Sequence, residues 1–140
     1  MKKVFYLVSA VLLAVALMAC NSLNRKSHTL GEPDIVSSFK INRDENLVIV
    51  ANRDEIEDKV EFAKLLVTMC QENSFQSIKF STDVGYPASL DMRVYLWKDE
   101  MEDSDPVMTV EYKTKDWNSD YDIVNNSEMY ELYVDGELVE

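Results

Sequence analysis

Four oxygen-bearing side chains alternate along one short stretch of the C-terminal third. Asp116, Asn118, Asp120 and Asp122 are each separated by a single residue. Carboxylate and amide oxygens at this spacing suit a hard cation such as calcium, which takes several oxygen ligands. The stretch is the best metal-binding candidate in the sequence. A polar turn between two strands of an acidic protein is the simpler interpretation.

The spacing resembles the opening of an EF-hand calcium loop and then departs from it. Tyr121 stands in the place of the turn glycine, and Ser127 in the place of the closing bidentate acid, with Glu128 one residue late. Those two positions give such a loop its turn and its most specific ligand. We therefore predict no metal and no cofactor, and keep the four residues only as an alternative.

Residues for nucleophilic or acid–base catalysis are scarce. The one histidine, His28, lies in a polar segment without a Ser or Cys nucleophile at an identifiable spacing. Cys70 falls on the apolar stripe of a predicted helix, near a C-terminus that disfavours a thiolate, so we expect a buried, inert thiol. The 3 glycines do not cluster, which excludes a phosphate-binding loop. The sequence predicts a protein without catalytic activity.

A second acidic cluster ends at Pro106, between two predicted strands. Solvated charge at a hairpin tip is the ordinary interpretation, and docking of a cationic partner is the alternative. The cluster consists of Asp99, Glu100, Glu102, Asp103 and Asp105.

Cys20 stands at the end of an N-terminal apolar run. Lys2 and Lys3 precede residues 4–18, which carry no charge. As a helix, this run would rise roughly 22 Å, less than the roughly 30 Å hydrocarbon core of a bilayer. The length and the basic flank favour a cleaved signal peptide over a permanent span.

The ending Leu17-Met18-Ala19-Cys20 resembles the lipobox of bacterial lipoproteins, in which a small residue precedes an invariant cysteine. Met18 is the mild departure. The resemblance implies cleavage before Cys20 and a diacylglycerol, carrying fatty acids such as palmitate, on its sulfur. Such a protein is anchored to the membrane and lies outside the cytoplasm, at the cell surface or facing the periplasm. An ordinary secretory signal and an uncleaved anchor are the two other interpretations.

These features divide the chain into a signal peptide (1–19), a lipidated Cys with a polar tether (20–46) and one α+β domain (47–140). The 140 residues carry a net charge of −12 from 14 Lys+Arg and 26 Asp+Glu. Loss of Lys2 and Lys3 with the signal peptide leaves −14. So acidic a chain argues against nucleic acid as a partner, because phosphate-binding surfaces are cationic.

Hydrophobic periodicity predicts one helix and several strands. The run 47–51 is a buried strand, and Asn52 with Glu55 has the spacing of a capping box that opens a helix ending near Asn73. Residues 35–41 are assigned to either an edge strand or a short helix. Later runs alternate with period two, and Asp135-Gly136 is a strong hairpin signal. The predicted order is β-α-β-β-β-β-β, with one helix packed on a mostly antiparallel sheet. The alternating runs begin at Ile78, Leu90, Met108 and Tyr130, and a short return strand carries Leu138.

One strand face carries the best candidates for partner binding. Arg93, Tyr95 and Trp97 alternate with apolar residues, and Tyr, Trp and Arg are enriched where proteins dock. Aromatic side chains that merely shield the sheet are the alternative. We expect a binding or accessory lipoprotein that meets an envelope protein. Capture of a cationic peptide or protein, as in immunity-type lipoproteins, is a second hypothesis, and an enzyme with dispersed carboxylates is a third.

Overall fold

The computed structural model describes residues 27–140, so Cys20 and the predicted signal peptide lie outside the described residues. The described part contains one α-helix and a six-stranded sheet, which confirms the α+β class. The observed order, β-β-α-β-β-β-β, differs from the predicted one. The elements are β1 (Asp34–Ile41), β2 (Asp44–Val50), α1 (Lys59–Glu72), β3 (Ser89–Tyr95), β4 (Met108–Thr114), β5 (Tyr130–Val134) and β6 (Glu137–Leu138).

The strands lie in the sheet in the same order as in the chain. Neighbouring strands are antiparallel except β2 and β3, which are parallel. Parallel neighbours begin at the same edge, so the chain between them must return along the sheet, and a helix is the usual means. Residues 51–88, which contain α1, make this connection.

One face of the sheet, called the inner face below, holds the core. Leu47, Met92 and Val110 lie opposite one another on β2, β3 and β4, and all three are buried. α1 adds Phe62 and Leu66 to the same cluster. Burial of this apolar surface is the main stabilising contribution to the fold.

The helix begins six residues later than the predicted capping box would place it. Asp58 is the N-cap, and its side chain accepts from the Glu61 N–H at 3.0 Å. Asn52 instead has a left-handed φ of 54°, and its Nδ2 donates to the Glu32 carbonyl. Because this bond reaches a residue 20 positions earlier in the chain, Asn52 is held outside the helix instead of capping it. The predicted end is confirmed, since Asn73 is the left-handed C-cap.

The second half of the predicted tether is folded. β1 and the start of β2 lie within residues 20–46, so the domain begins before residue 47. Of the two predictions for residues 35–41, the edge strand is observed. The polarity that suggested a linker has a local cause: the Ser38 hydroxyl and Lys40 Nζ contact the carboxylate of Glu45, which is 2% exposed, at 3.0 and 2.9 Å. A buried carboxylate needs hydrogen-bonding partners, and these polar residues of β1 supply them.

The strand predicted at Ile78–Phe80 is wrong, and the hairpin prediction is confirmed. The backbone N–H and carbonyl of Phe80 bond to the Asn73 side chain at 2.8 and 3.1 Å instead of joining the sheet. β2 and β3 already pair with each other, so no place remains between them. Asp135 and Gly136 have φ values of 50° and 81°, which suit the two-residue turn joining β5 to β6.

Candidate functional site

The second face of the sheet, called the outer face below, carries mostly polar and aromatic side chains. They alternate with core residues along four strands, and all are half-buried or exposed. The one α-helix of residues 27–140 packs on the opposite face. The half-buried and exposed residues of this face on β2 to β5 include Asn46, Val48, Asp91, Arg93, Tyr95, Thr109, Glu111, Lys113, Glu131 and Tyr133.

Two neighbouring charges on β3 lack a partner. Asp91 and Arg93 are both exposed, and neither forms an ion pair with another described residue. Asp91 lies directly opposite Glu111 of β4. Desolvation, followed by the charge of Glu111, raises the pKa of Asp91, while Arg93 and Lys113 act in the opposite direction. Like charges opposite each other on a sheet are destabilising, so this part of the outer face is electrostatically unsatisfied.

Lys113 of β4, by contrast, is surrounded by partners. Its Nζ lies 3.1 Å from Glu111 Oε1 and 4.6 Å from the ring centre of Tyr133. Trp117, which is 78% exposed, lies 5.1 Å from the same cation. The Tyr133 hydroxyl donates to Glu131 at 2.7 Å, and this bond raises the pKa of Tyr133. On the outer face, the charge of Lys113 on β4 is therefore matched by its neighbours, whereas the charges of Asp91 and Arg93 on β3 are not.

Trp97 does not belong to this surface, contrary to our prediction. It is 6% exposed, and its ring stacks on His28 with centroids 4.2 Å apart and planes 13° apart. His28 Nε2 also lies 2.9 Å from Asp99 Oδ1, so a second contact holds the imidazole in place. Gly31 also bonds to the carbonyl of Asn52. His28 was predicted to lie in the polar tether (20–46), but it packs against the chain just after β3.

Of the three predicted binding residues, the structure places Arg93 and Tyr95 on the outer face. The sequence did not assign Glu111, Lys113 and Tyr133 to the same face as Arg93, although they follow the same period-two signal. What was missing was the strand register: only the pairing of β3 with β4, and of β4 with β5, shows that they face the same way as Arg93.

The calcium candidate uses its oxygens inside its own loop. Asp116 accepts from the Asn118 N–H, Asn118 from the Asp120 N–H, and Asp122 from the N–H groups of Val124 and Asn125. Between residues 27 and 140, no group of three or more His, Cys, Asp or Glu is placed to hold a metal ion.

A cation of the chain already lies beside this loop. Arg43 donates to the carbonyls of Ser119 and Tyr121 at 3.1 and 3.4 Å. Burial acts to raise the pKa of Asp122, but the bonds from Asn125 and Val124, with the charge of Arg43, outweigh it and lower the pKa. The loop therefore behaves as a polar turn.

Cys70 lies where the helical stripe predicted it. The thiol is buried on α1, and desolvation together with the charge of Glu45 raises its pKa well above the usual range. A thiol held protonated in this way is unreactive.

No protein-family model, no curated protein and no solved structure matches the chain. Within the described range, none of the helices has both the length and the apolar character needed to cross a membrane.

Proposed function

We propose that the chain is a lipid-anchored lipoprotein, lying outside the cytoplasm, whose domain is a non-catalytic binding module of the cell envelope. Its docking surface is the outer face, and its partner is another envelope protein. The resemblance of the segment ending in Cys20 to a lipobox supports the anchor.

The observation that carries the docking surface is the unmatched charge on β3. Asp91 lies opposite Glu111, and Arg93 has no ion-pair partner among the described residues. A cation of the partner placed beside Asp91 relieves its repulsion with Glu111, and an anion of the partner pairs with Arg93. Complementary charges of this kind set specificity and association rate.

The anchor is tested by replacing Cys20 with Ser. We expect the variant to lose incorporated fatty-acid label and to leave the membrane fraction, whereas Cys70→Ala keeps both. Label retained by Cys20→Ser contradicts lipidation at this residue.

The docking surface is tested by reversing one charge. In cross-linked membranes, we expect Arg93→Glu to reduce recovery of the partner by about tenfold or more, because an unlike pair becomes a like pair. Lys115→Glu is the matched control, since Lys115 is exposed but lies toward the helix side. Equal recovery with both variants contradicts the outer face as the docking surface.

A further inference from the structure

A second surface, formed by α1 and the chain that leads into it, has a different character from the outer face. Two hollows of about 420 and 450 Å³ lie along this side of the domain. Both are lined by Arg53 and Leu65, so the two hollows are adjacent, and together they are called the helix groove below.

The floor of the helix groove is apolar. Phe62, Leu65 and Met69 are spaced three and four residues apart on α1, which places them on one stripe of the helix. Phe62 and Met69 are buried, but Leu65 is 42% exposed. The apolar stripe of α1 thus extends beyond the part that contacts the sheet.

The rim of the helix groove is strongly acidic. Six lining residues are acidic and one, Arg53, is basic. None of Glu55, Glu57 and Glu72 forms an ion pair with another described residue. The six acids are Glu32, Glu55, Glu57, Asp58, Glu61 and Glu72.

Arg53 shows which chemistry this floor accepts. Its guanidinium lies 4.7 Å from the ring centre of Phe62, and its Nε donates to the Ala51 carbonyl at 3.4 Å. A cation over an aromatic ring is favourable. The chain's own arginine fills only one point of a groove that runs past Leu65 to Glu72.

We propose that the helix groove binds a basic, amphipathic segment of a partner protein, with apolar side chains on Leu65 and Lys or Arg side chains on the acidic rim. The occupant is chosen by charge complementarity, because six acids around an apolar floor exclude an acidic partner and favour a cationic one. This goes beyond the proposed function, since it uses a surface separate from the outer face.

The probe is a synthetic peptide of about 14 residues, close to the length of α1, made of Lys and Leu with the Leu residues on one helical face. A lysine-only peptide of equal charge is the second probe. Binding to residues 20–140 carrying Cys20→Ser is followed by fluorescence anisotropy. We expect the Lys/Leu peptide to bind about tenfold more tightly than the lysine-only peptide, and more weakly as salt is raised.

Charge-matched variants locate the binding. We expect the triple variant Glu55→Gln/Glu57→Gln/Glu72→Gln to weaken binding by about tenfold, because three weak ion pairs with the peptide are lost together. Glu102→Gln, Asp103→Asn and Asp105→Asn together remove the same charge from the exposed β3–β4 loop and serve as control. Equal weakening by both triple variants shows attraction to the overall charge and overturns the proposal.

The apolar floor is tested with Leu65→Ser against Val84→Ser, a residue that is 65% exposed and outside the groove. We expect only the first to lose the preference for the Lys/Leu peptide.

Sedimentation tests whether a second copy of the chain occupies the groove instead. A dimer that Leu65→Ser dissociates would place that copy in the groove and overturn the proposal. Arg93→Glu should leave peptide binding unchanged, so failure here is distinct from failure of the outer face.

Discussion

The two faces of the sheet differ in how completely their side chains are matched within the chain. On the inner face, β1 to β5 contribute to one core, and α1 covers it. On the outer face, Lys113 is surrounded by partners while Asp91 and Arg93, one strand away, have none within 4 Å among the described residues. Contacts within the chain therefore match the side chains of the inner face and the charge of Lys113 on the outer face, but not the charges on β3. The part of the outer face around Asp91 and Arg93 is the part that we propose binds a partner.

The largest expected effect comes from two adjacent residues of β3 that point to opposite faces. Met92 is fully buried and Arg93 is exposed. We expect Met92→Ala to lower the free energy of unfolding by about 2–5 kcal/mol through lost burial and a cavity. Arg93→Ala should change it by less than about 0.5 kcal/mol. Urea denaturation measures both, and similar losses would contradict the contrast between the faces.

A smaller effect is expected at Asp34, an acid with a full set of bonds. Its carboxylate accepts from Ile35, Gln76 and Ser77, and these bonds outweigh desolvation and lower its pKa. We expect Asp34→Ala to destabilise the protein by about 1–2 kcal/mol at neutral pH. A lowered pKa contributes stability above the unfolded value near 4, and this is lost as pH falls through the folded value.

The measurement for Asp34 is urea denaturation of both proteins from neutral pH downward. The difference between them should shrink below about pH 4. A difference that persists at acid pH would assign the effect to packing instead of the carboxylate.

The smallest effect, with the opposite sign, is expected at Asp91. Its raised pKa means that the ionised form is disfavoured in the folded state, so Asp91→Asn should stabilise the protein by a few tenths of a kcal/mol at neutral pH. The gain should vanish as pH falls below the raised folded pKa and then the unfolded value. Thermal unfolding at several pH values measures this, with Asp34→Asn as the counterpart expected to lose stability. A loss of stability for Asp91→Asn would show that this carboxylate is matched after all.

Much of the fold was predictable because its signals are local. The alternation along β3, β4 and β5, the apolar stripe of α1 and the Asp135-Gly136 turn each depend on neighbouring residues. The errors arose where distant residues decide. Asn52 is fixed by Glu32, and Phe80 is fixed by Asn73, so neither does what its nearest neighbours indicate.

The candidate site was predictable only in part for the same reason. Alternation placed Arg93 and Tyr95 on one face, but Trp97 is covered by His28, which is distant in the sequence. Lys113 and Tyr133 join the outer face through strand register, and a single strand contains no information about its register. The helix groove depends on a contact between Arg53 and Phe62 that apolar periodicity does not show.

The stacking of His28 on Trp97 shortens the tether that the proposed anchor at Cys20 would have. Had the chain been free as far as Leu47, a fully extended tether from Cys20 would span about 95 Å. From Cys20 to His28 the greatest span is about 28 Å. If Cys20 carries lipid as proposed, this span holds the near end of the domain within about 28 Å of the membrane, and a partner must approach the membrane surface to meet it.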